Sequence, residues 1–89
     1  MKIKVKKTTE TEVEVKLPHY ATSGVHWLRF DENQNCVIVY IGSKNCFEIQ
    51  KLPKEQTPEE WYLEKQITKE EFEAKFNEAL KLIQNEIKN

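Results

Sequence analysis

The sequence predicts an α+β fold, an antiparallel β-meander of four to five strands packed on one C-terminal α-helix. Three observations lead there. Apolar and polar residues alternate strictly through much of Met1 to Leu17, the period of a strand. Three β-rich runs follow, Val25 to Phe30, Cys36 to Ile41 and Cys46 to Leu52, separated by segments with good turn chemistry. Finally, Phe72, Phe76, Ala79, Leu80, Ile83 and Ile87 recur at three- and four-residue spacing, the stripe of an amphipathic helix.

In the first segment Met1, Ile3, Val5, Val13, Val15 and Leu17 fall on odd positions and Lys, Thr or Glu on the even ones. Run straight, that segment would reach about 55 Å, longer than a small domain is wide. The polar stretch Lys7 to Glu12 is therefore expected to bend or turn, and with no Gly, Asn or Pro there a bent strand or loose turn is favoured over a tight hairpin. Pro18 to Gly24 reads as a loop.

The meander's register follows from its turns, because opposed residues of antiparallel strands share a face. Centring the first turn on Asn33 places Phe30 opposite Cys36, Leu28 opposite Ile38 and His26 opposite Tyr40. Placing Ser43-Lys44 at the tip of the second puts Tyr40 opposite Phe47 and Ile38 opposite Ile49. One face then gathers Leu28, Phe30, Cys36, Ile38, Tyr40, Phe47 and Ile49, the expected seat of the helix.

Pro53 ends the third run. For 57–67 two readings stay open: the aromatics Trp61 and Tyr62 suit an edge strand, whereas Thr57-Pro58-Glu59-Glu60 resembles a helix start. Thr68-Lys69-Glu70-Glu71 is a capping box, so a helix is predicted over about 69–88, with acidic residues in its first turn as the helix dipole favours. The expected organisation is a single domain over residues 1–89, sheet to about 67 and helix thereafter.

A chain of 89 residues builds one modest core. Fourteen basic residues against fifteen acidic ones produce no strong field toward a polyanion. No apolar run approaches the eighteen or so residues of a membrane span, and Met1-Lys2-Ile3-Lys4-Val5 interrupts any signal-like block with lysine, so a cytoplasmic protein with no membrane partner is expected. Cys36 and Cys46 are too few for a disulfide scaffold and not at zinc spacing, so free thiols are expected.

Chemistry is hard to assemble from the remaining residues. Gly24 and Gly42 alone cannot build a phosphate-binding or dinucleotide loop, so no cofactor is expected. His19 and His26 have no metal-ligand cluster around them, and His26 reads as a partly buried, hydrogen-bonded ring beside Tyr40. The proposed register sets Cys36 and Cys46 on opposite faces, away from His26, which argues against a Cys–His nucleophile. The paired glutamates read as helix caps or solvated strand faces. No catalytic, cofactor or metal residue is assigned, and a non-enzymatic role is expected.

The register also places Val25, Trp27, Arg29, Val37, Val39 and Ile41 together on the sheet's second face. An antiparallel sheet ordinarily turns polar residues to water there. Apolar composition around a Trp, with an Arg at the rim, suits an interface with a protein partner or a second copy of the chain, unless the chain's own N-terminal segment or Trp61-Tyr62-Leu63 covers it. A weak single-stranded nucleic-acid site built from Lys2, Lys4, Lys6 and Lys7 with Trp27 or Tyr20 is the alternative, disfavoured because lysines on an edge strand also guard against aggregation.

The order of elements, Thr-Glu-Val-Glu-Val-Lys-Leu-Pro, then His-Trp-Leu-Arg-Phe, then Ile-Thr-Lys-Glu-Glu-Phe opening the last helix, resembles small uncharacterised proteins of gut Bacteroides and their mobile elements. Such proteins have no assigned activity, so the resemblance implies no residue role. The expectation is a protein-interaction or accessory module of bacterial or phage origin.

Overall fold

The computed structural model describes residues 1–7, 11–42 and 46–88, with side chains as far as Glu86. Seven strands, two 3-10 turns and one helix follow one another along the chain. β1 (Lys2–Lys6) and β2 (Glu12–Lys16) form an antiparallel hairpin of their own. β3 (His19–Thr22), β4 (His26–Phe30), β5 (Cys36–Ile41), β6 (Phe47–Leu52) and β7 (Lys65–Gln66) form a five-stranded antiparallel sheet in the order β6-β5-β4-β3-β7. α1 (Lys69–Lys88) packs on this sheet, so the protein is α+β.

The alternation of Met1 to Leu17 becomes the β1–β2 hairpin, with Ile3 opposite Val15 and Val5 opposite Val13. Its expected bend at Lys7 to Glu12 falls largely on residues 8–10, outside the described residues. The segment expected to be a loop, Pro18 to Gly24, instead contains β3. Pro18 precedes the strand and so removes no ladder donor, and the short run His19-Tyr20-Ala21-Thr22 finds partners in both β4 and β7. Gly24, at φ +104°, supplies the left-handed residue that turns β3 into β4.

The β4–β5 register is the expected one, Phe30 opposite Cys36, Leu28 opposite Ile38 and His26 opposite Tyr40. Asp31 fixes the turn between them, its Oδ1 accepting hydrogen bonds from the backbone N–H of Asn33 at 2.9 Å and of Asn35 at 3.0 Å. The β5–β6 register differs by one residue. Ile41 opposes Phe47 and Val39 opposes Ile49, and the Gly42 N–H donates to the Cys46 carbonyl at 2.7 Å, so the connection is one residue longer than the two-residue tip expected at Ser43-Lys44. The tip itself, 43–45, lies outside the described residues.

Because side chains alternate faces, that single step carries Phe47 and Ile49 to the other side of the sheet. It also decides where the helix goes. α1 covers the face bearing Trp27, Val37, Val39, Ile41 and Ile49, where Val39, Ile67, Phe72 and Ala79 are buried together. The opposite face, which was expected to receive the helix, is covered by the hairpin and Tyr62 instead: Val5, Val15 and Leu17 pack there on Leu28, Phe30, Cys36 and Ile38.

Neither reading of 57–67 describes that segment as a whole. Following a 3-10 turn at Lys54–Gln56, it forms a second at Glu59–Leu63 before the two residues of β7. The Thr57 hydroxyl, expected to cap a helix, donates to the Pro53 carbonyl at 2.9 Å and serves the preceding turn. By contrast Thr68 does cap α1, its Oγ1 accepting the Glu71 N–H at 3.1 Å.

Phe72 is 1% exposed against Tyr20 and the Arg29 guanidinium, whereas Leu80, eight positions on, is 38% exposed. At a concentration low enough to keep the chain monomeric, Phe72→Ala should cost about 3–5 kcal/mol and Leu80→Ala no more than about 0.5 kcal/mol in urea unfolding. Equal costs would mean that the helix does not sit on this face.

Candidate functional site

The six residues expected to form an interaction face lie under or beside α1. Val39 has no exposed surface, Trp27, Val37 and Ile41 pack around it, and the Lys75 ammonium stands 4.9 Å from the centre of the Trp27 ring. Arg29 lies over Phe72 at 5.8 Å. Val25, 49% exposed, is the one of the six that remains at the surface. The cover is the helix, neither of the two segments considered from the sequence.

The lysine and aromatic residues of the nucleic-acid alternative are likewise kept apart. Tyr20 and Trp27 pack with α1, while β1 lies on the opposite face of the sheet, where Lys2 pairs with Glu14 at 3.2 Å.

The two histidines have separate fates. His19 is 8% exposed, its ring about 6 Å from each of the stacked rings of Phe30 and Tyr62, and its Nε2 lies 3.1 Å from the Tyr62 carbonyl, which fixes that nitrogen as the protonated donor. Burial lowers its pKa below the ordinary 6.5, against a smaller opposite effect of that hydrogen bond. His26 lies at the other end of the same face, its ring 4.9 Å from that of Tyr40 and its Nδ1 3.4 Å from the Ser23 Oγ.

Around His26 and Tyr40 the sheet is open. The hairpin covers the end of the face near Phe30 and Cys36 and stops short of the other end, leaving a groove of about 520 Å³. That volume is within the range of about 300–1,000 Å³ usual for ligand sites. Leu28, Ile38 and Leu52 form its floor. His26, Tyr40 and Trp61 supply aromatic rings, and Ser23, Gln50, Glu48 and Glu64 are the polar members. Both charged groups are carboxylates, with no Lys or Arg in the lining. Tyr40 leans over Gly42, where a Cβ would collide with the phenol oxygen, so glycine leaves room for this ring.

Sequence reasoning placed His26 beside Tyr40 but did not find the groove. Glu48 and Gln50 reach this face only through the observed β5–β6 register, opposite Tyr40 and Ile38. Trp61 arrives through a 3-10 turn whose tertiary position no local pattern encodes.

Burial pushes the Cys36 thiol up to about 12, and both cysteines are free. Ser23 is not set up as a nucleophile: its Oγ also accepts the His26 backbone N–H at 3.3 Å, the bond of a local turn. Among the described residues no three His, Cys, Asp or Glu side chains gather as a metal site, and no helix is long and apolar enough to cross a membrane. No protein-family model matches the chain, and neither a curated protein nor a solved structure shows significant similarity to it.

Two outcomes follow from burial. His19 is held neutral in the folded state while the unfolded chain takes up a proton below about pH 6.5, so its contribution is complete above that pH and stability should fall as pH drops below it. Urea midpoints between pH 7.5 and 5.5 should show that decline, flattened in His19→Gln; an equal slope in the variant would remove His19 as its cause. A thiol reagent should modify one cysteine of the native protein, exposed Cys46, and reach Cys36 only on unfolding.

Proposed function

We propose that the chain is a non-enzymatic protein-interaction module whose contact surface is the groove between Trp61 and Tyr40, and that the group it takes is the basic side chain of a partner protein. One observation carries this reading: the rings of Tyr40 and Trp61 and two carboxylates, unaccompanied by Lys or Arg, line a site with an apolar floor. Ring faces and carboxylates both favour positive charge, while an apolar floor accommodates the methylene stem of lysine or arginine. The groove is open to solvent, so a side chain can enter while its main chain stays outside.

The absence of an assembled nucleophile and base supports binding over catalysis. Cys36 is buried and strongly disfavoured as a thiolate, and the Ser23–His26 pair has no carboxylate on the second imidazole nitrogen among the described residues. The unpaired thiols accord with the reducing, cytoplasmic setting that belongs to this proposal, as does an accessory role in a bacterium or phage.

N-acetyl-lysine methylamide and its neutral counterpart N-acetyl-norleucine methylamide separate the alternatives. In titrations followed by amide and indole NMR shifts, the lysine compound should perturb His26, Tyr40, Glu48 and Trp61 and bind at least about threefold more tightly than norleucine. Glu48→Gln combined with Glu64→Gln should erase that preference. Equal binding of the two probes, or shifts scattered over the whole chain, would overturn the cation reading.

A further inference from the structure

β6 is an edge of the sheet, and its hydrogen-bonding groups are divided by residue parity. The Gly42 N–H bond to the Cys46 carbonyl marks that pair as hydrogen-bonded, and the pattern alternates along an antiparallel ladder. Glu48, Gln50 and Leu52 therefore turn their backbone groups toward β5, and Phe47, Ile49 and Lys51 turn theirs outward. The Ile41 N–H bond to the Val25 carbonyl at 3.4 Å confirms the parity from the other side, because it directs Ile41 toward β4. Outward groups on a six-residue edge strand are a template for another strand.

The helix above this edge is not used up by its own sheet. α1 begins over β3 and β4, where Phe72 meets Tyr20 and Arg29, and reaches β5 and β6 further along. Ala79 is the last described residue in the buried cluster beneath it. Leu80 is exposed, and Leu82 and Ile83 are half-buried without belonging to that cluster. About two further turns of helix, bearing Leu80, Leu82 and Ile83, thus follow the last position in that cluster.

We infer that β6 pairs antiparallel with β6 of a second copy of this chain, joining the two sheets across a two-fold axis at Ile49. The strand's own sequence selects both occupant and register. A two-fold centred on Glu48 would set two carboxylates opposite each other, and one centred on Gln50 would oppose Phe47 to Pro53, which has no N–H to give. Centring on Ile49 opposes Phe47 to the partner's Lys51 and Glu48 to the partner's Gln50. No like charges meet, and every outward N–H and C=O of Phe47, Ile49 and Lys51 finds a mate. The axis is perpendicular to the sheet, so both helices lie on one side and the ends bearing Leu80 and Ile83 cover the seam.

The pairing also completes the groove. Glu48 and Gln50 form its β6 side, and in this register the partner's Gln50 stands next to Glu48 on the same face, converting an open edge into a wall. This consequence rests on the proposed binding role, whereas dimerisation itself does not.

Light scattering behind size exclusion, across a concentration series of the full chain, should show twice the 10.6 kDa chain mass. Lys51→Pro removes one outward donor at a position where an edge strand tolerates proline, and Leu80→Glu charges the helix end. Each should remain folded by circular dichroism and shift the mass to that of the monomer. In a Cys46→Ser background, Glu48→Cys mixed with Gln50→Cys should give an interchain disulfide, while Gln50→Cys alone should not. A parent monomeric at millimolar concentration, a dimer untouched by both folded variants, or a disulfide from Gln50→Cys alone would each overturn the proposed pairing. Lysine-probe binding that survives in monomeric Lys51→Pro would separate the fate of the groove reading from that of the dimer.

Discussion

The β4–β5 pair is apolar on both faces, and the rest of the molecule follows from the need to cover it twice. Phe30 and Cys36 on one side and Val39 on the other have no exposed surface at all. An antiparallel sheet usually manages with one covered face. Here one helix cannot suffice, since it can lie on only one side. The chain recruits its N-terminal hairpin and the Tyr62 turn as a second cover, and leaving Val39 and Trp27 to water would cost on the order of 1.5–3 kcal/mol per large apolar side chain.

Much of this was legible in local patterns. The β4–β5 register follows from the polar turn, because Asp31 and two asparagines can close it in few ways, and α1 follows from its capping box and stripe. The unusual apolarity of the Trp27–Val39 face is equally plain in the alternate residues of β4 and β5. Its meaning is not, because a sheet face intended for a partner and one intended for the chain's own helix have the same composition. The difference resides in the β5–β6 connection. A turn one residue longer reverses the faces of Phe47 and Ile49, tips the balance of apolar area toward the Trp27 side, and moves the helix with it.

The groove shows the same dependence in another form. Its floor residues Leu28 and Ile38 were assigned to the core, correctly, and both are buried. What sequence could not supply was the extent of the second cover. The hairpin's five-residue strands reach the Phe30 and Cys36 end of the face, and Trp61 closes only part of what remains. A concave site therefore arises where a short cover meets a longer sheet. Its residues come from β4, β5, β6 and a 3-10 turn, separated too widely in sequence to form any motif.

β6 is the element in which these constraints meet, because its parity divides three tasks among alternate residues. Phe47 and Ile49 share the face that bears α1, and Ile49 belongs to its packing; Glu48 and Gln50 point the other way and give the groove its polarity. The odd residues on the helix side are also those whose backbone groups face outward. An added strand would consequently hydrogen-bond to Ile49, which the helix-side core already holds in place, at the middle of the edge. Side chains that face the groove need contribute nothing to that ladder, which leaves Glu48 and Gln50 free for the proposed binding role. In this fold the proposed recognition and the proposed edge pairing would occupy one strand without competing for the same atoms.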